Sequence, residues 1–70
     1  MRDPFEVVIM RLRKMLFEEN KHLKQLKAEN VGDGYIQFKK GKIYGIELMI
    51  ENTIRERMAY YDEAANAKTN

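Results

Sequence analysis

Residues 41–50 read Gly-Lys-Ile-Tyr-Gly-Ile-Glu-Leu-Met-Ile and combine six apolar side chains with two glycines. As a helix, this stretch joins a stripe of apolar residues spaced by three and four positions, which predicts one buried face. The stripe consists of Ile43, Ile46, Ile50, Ile54, Met58 and Tyr61. A second set lies nearly opposite and comprises Phe38, Gly45 and Met49, with Gly41 and Leu48 at its edge. A helix with two apolar faces needs two packing partners.

The same region also fits a β-hairpin, with strands at 35–38 and 42–45 joined through Lys39, Lys40 and Gly41. Two strands alone are marginal in water, and the chain holds no third run of β-branched and aromatic residues to pair with them. Against the helix, each interior glycine costs about 1 kcal/mol relative to alanine. The balance favours the helix and leaves the hairpin as the alternative.

The N-terminal third predicts one long helix that starts at Pro4. Asp3 precedes the proline as N-cap, and Glu6 follows in the first turn. A heptad pattern then continues for three repeats with a single polar interruption at Glu19. Its apolar members are Phe5, Ile9, Leu12, Leu16, Leu23 and Leu26. The helix extends to about residue 30.

The break at 31–34 holds two glycines, with Gly32 placed to cap the first helix and Asp33 placed to cap the next. A break this short predicts antiparallel neighbours. We therefore predict an all-α fold in which helices 4–30 and 35–63 form a hairpin that dimerises into a four-helix arrangement. Residues 1–63 form the domain, and we expect the polar tail 64–70 to fray. Facing residues have numbers that sum to about 64, so Leu16 lies beside Leu48.

Length and composition predict a small soluble, cytoplasmic protein. Seventy residues make one domain near the lower limit for a stable core, which favours a homo-oligomer. The chain has no cysteine, which excludes disulfides and thiolate metal sites. Neither a membrane span nor a signal peptide is recognisable.

No pattern of catalytic residues is present, and we predict neither enzymatic activity nor a cofactor or metal. His22 is the single histidine and has neither a cysteine nor a second histidine within a helical turn to share a metal ion. Glu19 lies at a heptad core position, where a carboxylate can serve as a general acid, as a metal ligand or, more often, as a polar residue that sets the register of an oligomer.

Six lysines are expected at the turn end of the hairpin, where they could contact an acidic protein or nucleic acid, or could simply be solvated. They are Lys21, Lys24, Lys27, Lys39, Lys40 and Lys42. Separately, the aromatic and apolar residues exceed what two helices can hide, and predict an interface for an oligomer or a protein partner. The interface residues are Phe17, Phe38, Gly41, Tyr44, Gly45, Leu48 and Met49. Within this set, the spacing of Gly41 and Gly45 favours close helix packing.

The run Phe38-Lys39-Lys40-Gly41-Lys42-Ile43-Tyr44-Gly45-Ile46-Glu47 resembles a segment of very short accessory proteins encoded by phages and prophages of Gram-positive bacteria. The resemblance covers ten of the seventy residues. It implies a protein that binds and modulates a host or phage factor, and it implies no catalytic residue. Together with the residue patterns, it predicts a non-enzymatic helical interaction protein, with nucleic-acid binding as the alternative.

Overall fold

The protein is an antiparallel hairpin of two helices. A computed structural model describes the backbone of residues 3–69 and the side chains of residues 3–66. Helix α1 spans Pro4–Ala28 and helix α2 spans Asp33–Thr69, and together they form an elongated body of 60 × 22 × 10 Å. The predicted all-α hairpin is confirmed. The alternative with strands at 35–38 and 42–45 is wrong, because both segments lie within α2 and the described residues contain no strand.

Helix α1 starts where the sequence predicts it. The Asp3 carboxylate accepts a hydrogen bond of 2.9 Å from the backbone N–H of Phe5, and Pro4 occupies the first turn, where its missing N–H has no partner to lose. The charged end of the same side chain also reaches α2, as described below. Asp3 therefore caps α1 and also forms a side-chain contact with α2.

The turn between the helices is built around Asn30. The N–H of Val31 donates to the carbonyl of Leu26 at 3.2 Å and the N–H of Asn30 donates to that of Lys27 at 3.3 Å, which is a Schellman motif. Asn30 takes the left-handed conformation, with φ 55°. The prediction that Gly32 caps α1 is wrong, since no described glycine has a positive φ. Asparagine replaces glycine here because its short polar side chain tolerates that conformation.

Helix α2 is longer than predicted at both ends. The Gly32 carbonyl accepts from the N–H groups of Tyr35 and Ile36, so α2 begins at Asp33 rather than at residue 35. It continues through Thr69, so residues 64–69 are helical where we predicted a frayed tail, and residue 70 lies outside the described part. The helices contain 25 and 37 residues, and the expected match in length is wrong.

The seam between the helices is narrow. Its buried apolar side chains are Ile9, Ile36, Ile43 and Ile46. The remaining heptad residues of α1 and the α2 residues Ile50 and Ile54 are half-buried, as their spacing predicts. Met58 and Tyr61 belong to the predicted stripe but are exposed, so the predicted burial of the stripe ends at Ile54. Four buried apolar side chains among residues 3–66 are a small core for a hairpin of this length.

The two glycines of residues 41–50, Gly41 and Gly45, do not pack against α1. A Cβ atom placed on Gly41 or Gly45 would meet no other atom within 4 Å. Within the hairpin, the predicted close packing at these glycines is therefore wrong. The register is close to the prediction, since Glu19 pairs with Lys42 and Phe5 contacts Tyr60, whose numbers sum to 61 and 65.

The predicted pairing of Leu16 with Leu48 is wrong, because Leu48 is exposed on the side of α2 that points away from α1.

Candidate interaction surface

Two sets of contacts distinguish the broad sides of the hairpin. On one side, Glu19 of α1 pairs with Lys42 of α2, and the rings of Phe5 and Tyr60 lie 5.6 Å apart. On the other side, α1 and α2 line a depression of about 350 Å³. Its lining residues are Glu6, Ile9, Arg13, Ile54 and Arg57. Residues that are three, four or seven positions apart share a face of a helix. The side of the hairpin on which other residues lie therefore follows from their spacing to these contact residues.

The side that carries Lys42 is rich in exposed apolar side chains. Val8 and Met15 share the α1 face of Glu19, and the α2 residues follow the ridge of Lys42. We call this surface the aromatic face, and its apolar residues are Val8, Met15, Tyr35, Phe38, Met49 and Tyr60. Each of them is between 44% and 70% exposed. At one end, Tyr35, Phe38 and Gly34 line a second depression of about 350 Å³.

The structure separates the residues that we predicted as one interface. Phe38, Gly45 and Met49 lie on the ridge of Lys42, whereas Gly41 and Leu48 point to the outer side of α2, away from α1. Phe17 lies four residues from Arg13, so it points to the opposite side of the hairpin, and Tyr44 lies away from the aromatic face. Phe17 is 69% exposed and Phe38 is 70% exposed, yet they face different surroundings.

An ionic cluster lies in the middle of the aromatic face. Glu19 Oε2 accepts from Lys39 Nζ at 2.7 Å, and Glu19 Oε1 lies 3.2 Å from Lys42 Nζ. The Lys39 side chain is 10% exposed, whereas that of Lys42 is 48% exposed. Hydrogen bonds from Lys39 and then from Lys42 lower the pKa of the Glu19 carboxyl. Glu19 is therefore ionised at neutral pH and is no proton donor, and the cluster keeps one unbalanced positive charge.

Because of this cluster, fewer lysines are unpaired at the lysine-rich end than the sequence predicts. Lys39 is buried and held by Glu19, whereas Lys42 is half-exposed and shares the same carboxylate with Lys39. The other four predicted lysines are exposed, and they are Lys21, Lys24, Lys27 and Lys40. The six lysines thus do not form one uniform surface.

Sequence reasoning missed a second polar contact between the helices, at the open end of the hairpin. Asp3 Oδ2 accepts from Arg57 Nε at 2.7 Å and from the Tyr61 hydroxyl at 2.9 Å, and Arg57 lies over the Tyr61 ring. The hydrogen bond from Arg57 lowers the pKa of Asp3, and the same bond raises the pKa of Arg57. The N-cap role of Asp3 was readable, but its distant partners depend on the register, which only the fold provides.

No ligand chemistry stands out in the part of the chain that the structure describes. Within residues 3–69, no three histidine or acidic side chains are grouped as metal ligands, and His22 is exposed. Neither helix offers an apolar segment long enough to traverse a lipid bilayer over those residues. Comparisons with protein-family models, curated proteins and solved structures found no match. We therefore argue function from side-chain geometry.

Proposed function

We propose that this protein acts by binding, as a non-enzymatic helical interaction protein whose binding surface is the aromatic face. The observation that supports this is the balance of apolar residues. Among residues 3–66, four apolar side chains are buried, whereas twelve large ones are exposed, and six of the twelve share one face. Exposed apolar surface of this extent on a small chain marks an interaction site.

The composition of the aromatic face suits a protein surface as its partner. Tyrosine, phenylalanine and methionine are enriched at the centres of protein interfaces, because they bury a large area with few rotatable bonds. The Glu19–Lys42 pair lies among them and adds a charged contact that selects partner and orientation more than it adds affinity. The resemblance of residues 38–47 to phage accessory proteins adds a role in modulating the bound factor.

Nucleic-acid binding is the second candidate, and it rests on Lys21, Lys24, Lys27 and Lys40. Phosphate contacts would need these lysines to act together. Since Glu19 engages the other two predicted lysines, the cationic surface is smaller than the sequence suggested. The apolar surface is the larger feature, and we give it precedence.

A capture experiment tests the proposal. A tagged copy of this chain is incubated with an untagged copy and with a lysate of the source organism. The proteins captured by the wild type, by Phe38→Glu and by Phe17→Glu are then compared. The two phenylalanines are equally exposed on different sides, so Phe17→Glu is the matched control. We expect Phe38→Glu to abolish capture of a protein and Phe17→Glu to retain it.

Capture is repeated after nuclease treatment and over a range of salt concentrations. A hydrophobic interface tolerates both, whereas phosphate contacts weaken steeply with salt. Capture that disappears with nuclease, or that survives Phe38→Glu, would contradict the proposal. The first result would favour the lysine surface, and the second would place the binding site elsewhere.

A further inference from the structure

We propose that the partner of the aromatic face is a second copy of this chain, packed with its α2 antiparallel to the first and with the twofold axis at Met49. The inference rests on the proposed function and names the partner of that same surface. Four observations carry it: the excess of exposed area, the arrangement of residues about Met49, the distribution of charge along α2 and the unequal lengths of the helices.

The exposed area is what a dimer of this kind requires. The chain exposes 5940 Å², whereas a compact monomer of 8.3 kDa exposes about 4,600 Å² by the usual scaling with mass. The excess of about 1,300 Å² exceeds the roughly 800 Å² that each partner buries in an interface of standard size. The hairpin thus has enough surplus surface for one such interface.

The ridge of α2 on the aromatic face is arranged symmetrically about Met49. Lys42 lies seven residues before Met49 and Glu56 lies seven residues after it. Phe38 and Tyr60 likewise lie eleven residues before and after. An antiparallel pair of helices centred on Met49 therefore places each lysine against a glutamate and each phenylalanine against a tyrosine. Isologous contacts of this kind are what a twofold axis produces.

The charges favour this direction over a parallel one. Residues 33–45 hold three lysines and one acid, whereas residues 46–63 hold two arginines and five acids. Parallel packing of α2 would oppose like charges along its whole length, and antiparallel packing opposes unlike ones. Lys42 is the half-exposed lysine that shares Glu19 with Lys39, so it retains charge for Glu56 of the second copy.

The length of α2 also fits this arrangement. Residues 62–69 of α2 extend about 12 Å past the start of α1 at Pro4. With the axis at Met49, this extension lies against the turn of the second copy. Asp62 and Glu63 then approach the lysine-rich end of that copy, which complements its charge.

Single cysteines test the geometry, because the natural chain has none. Met49→Cys lies on the proposed axis and should form a disulfide-linked dimer on mild oxidation at least tenfold faster than Leu48→Cys. Leu48 is the matched control, since it adjoins Met49 but points to the outer side of α2. Phe38→Cys alone should cross-link no faster than Leu48→Cys, whereas a mixture of Phe38→Cys with tagged Tyr60→Cys should give the mixed dimer.

Sedimentation of the unmodified chain provides the second measurement. We expect a dimer at micromolar concentration, and a dissociation constant raised at least tenfold by Glu56→Lys but not by the control Glu47→Lys. Equal cross-linking of all the single cysteines, or rapid cross-linking of Phe38→Cys with itself, would overturn the antiparallel dimer.

The two proposals fail separately. A monomer at every concentration, with capture of another protein that Phe38→Glu abolishes, would remove the self-partner and leave the interaction function standing. Loss of both self-association and Phe38-dependent capture would remove both proposals.

Discussion

Lys39 Nζ lies 2.7 Å from Glu19 Oε2 between the two helices, and Lys39 is the one buried charged residue among those that the structure describes. The pair occupies a place in the seam where the heptad pattern of α1 would have an apolar residue. Removing one member leaves the other without its partner in a poorly hydrated position, which is more destabilising than replacing both by apolar groups.

The first prediction follows from this pair. Glu19→Leu should lower the melting temperature, whereas Glu19→Leu combined with Lys39→Leu should restore it to the wild-type value or above. A double-mutant cycle by thermal unfolding measures the coupling. Equal melting temperatures for Glu19→Leu and the double variant would show that Lys39 without its partner does not destabilise the fold, which would contradict the prediction.

The second prediction concerns acid. Hydrogen bonds from Arg57 and Lys39 lower the pKa values of Asp3 and Glu19 from their ordinary 3.8 and 4.5. The stability that these groups contribute is therefore complete above those ordinary values and is lost as pH falls through the lower folded-state pKa values. As the solution is acidified, the melting temperature should begin to decrease at about pH 4.5, which is the ordinary pKa of a glutamate carboxyl. Asp3→Asn, which keeps a capping oxygen, should flatten part of this decline, and an unchanged profile would contradict the assignment.

The third prediction compares two turn residues. Asn30→Ala should lower the free energy of unfolding by about 1 kcal/mol, because alanine lacks the short polar side chain that makes the left-handed conformation tolerable. Gly32→Ala should lower the free energy of unfolding by about 0.5 kcal/mol, since Gly32 has no positive φ and open space at its Cβ position, and only its place at the N-cap of α2 favours glycine over alanine. Denaturant unfolding measures both, and a larger loss at Gly32 would show that the turn depends on glycine after all.

The fourth prediction concerns Gly41, which lies in the interior of α2 with open space around it. Gly41→Ala should raise the free energy of unfolding by about 0.5–1 kcal/mol, because alanine restricts the unfolded chain and favours the helix. Chemical denaturation over a range of protein concentrations measures the gain. A loss of stability that grows with concentration would indicate a helix packed against the outer side of α2.

The local features of the fold were readable because they depend on neighbours along the chain. The heptad of α1, the cap at Asp3 and the stripe from Ile43 to Ile54 follow from helical spacing, and the structure contains them. The end of α2 was predicted wrongly. The tail contains good helix formers, which favour helix, but few apolar residues to bury, which favours fraying, and composition alone does not decide between the two outcomes. The cap of α1 was misjudged because glycine is the commoner left-handed residue, although asparagine also fits.

The sequence alone predicted two helices, a short turn and an apolar surplus, with a β-hairpin at 35–38 and 42–45 left as the alternative, since the helical period and the turn chemistry are local properties. Only the tertiary structure decided which lysines are free, because Lys39 and Lys42 meet Glu19 across twenty and twenty-three positions of chain. It also divided the predicted interface, by turning Phe38 and Phe17 to different sides of the hairpin. A periodic pattern says which residues share a face of one helix, but the relative rotation and register of two helices arise from the packing between them.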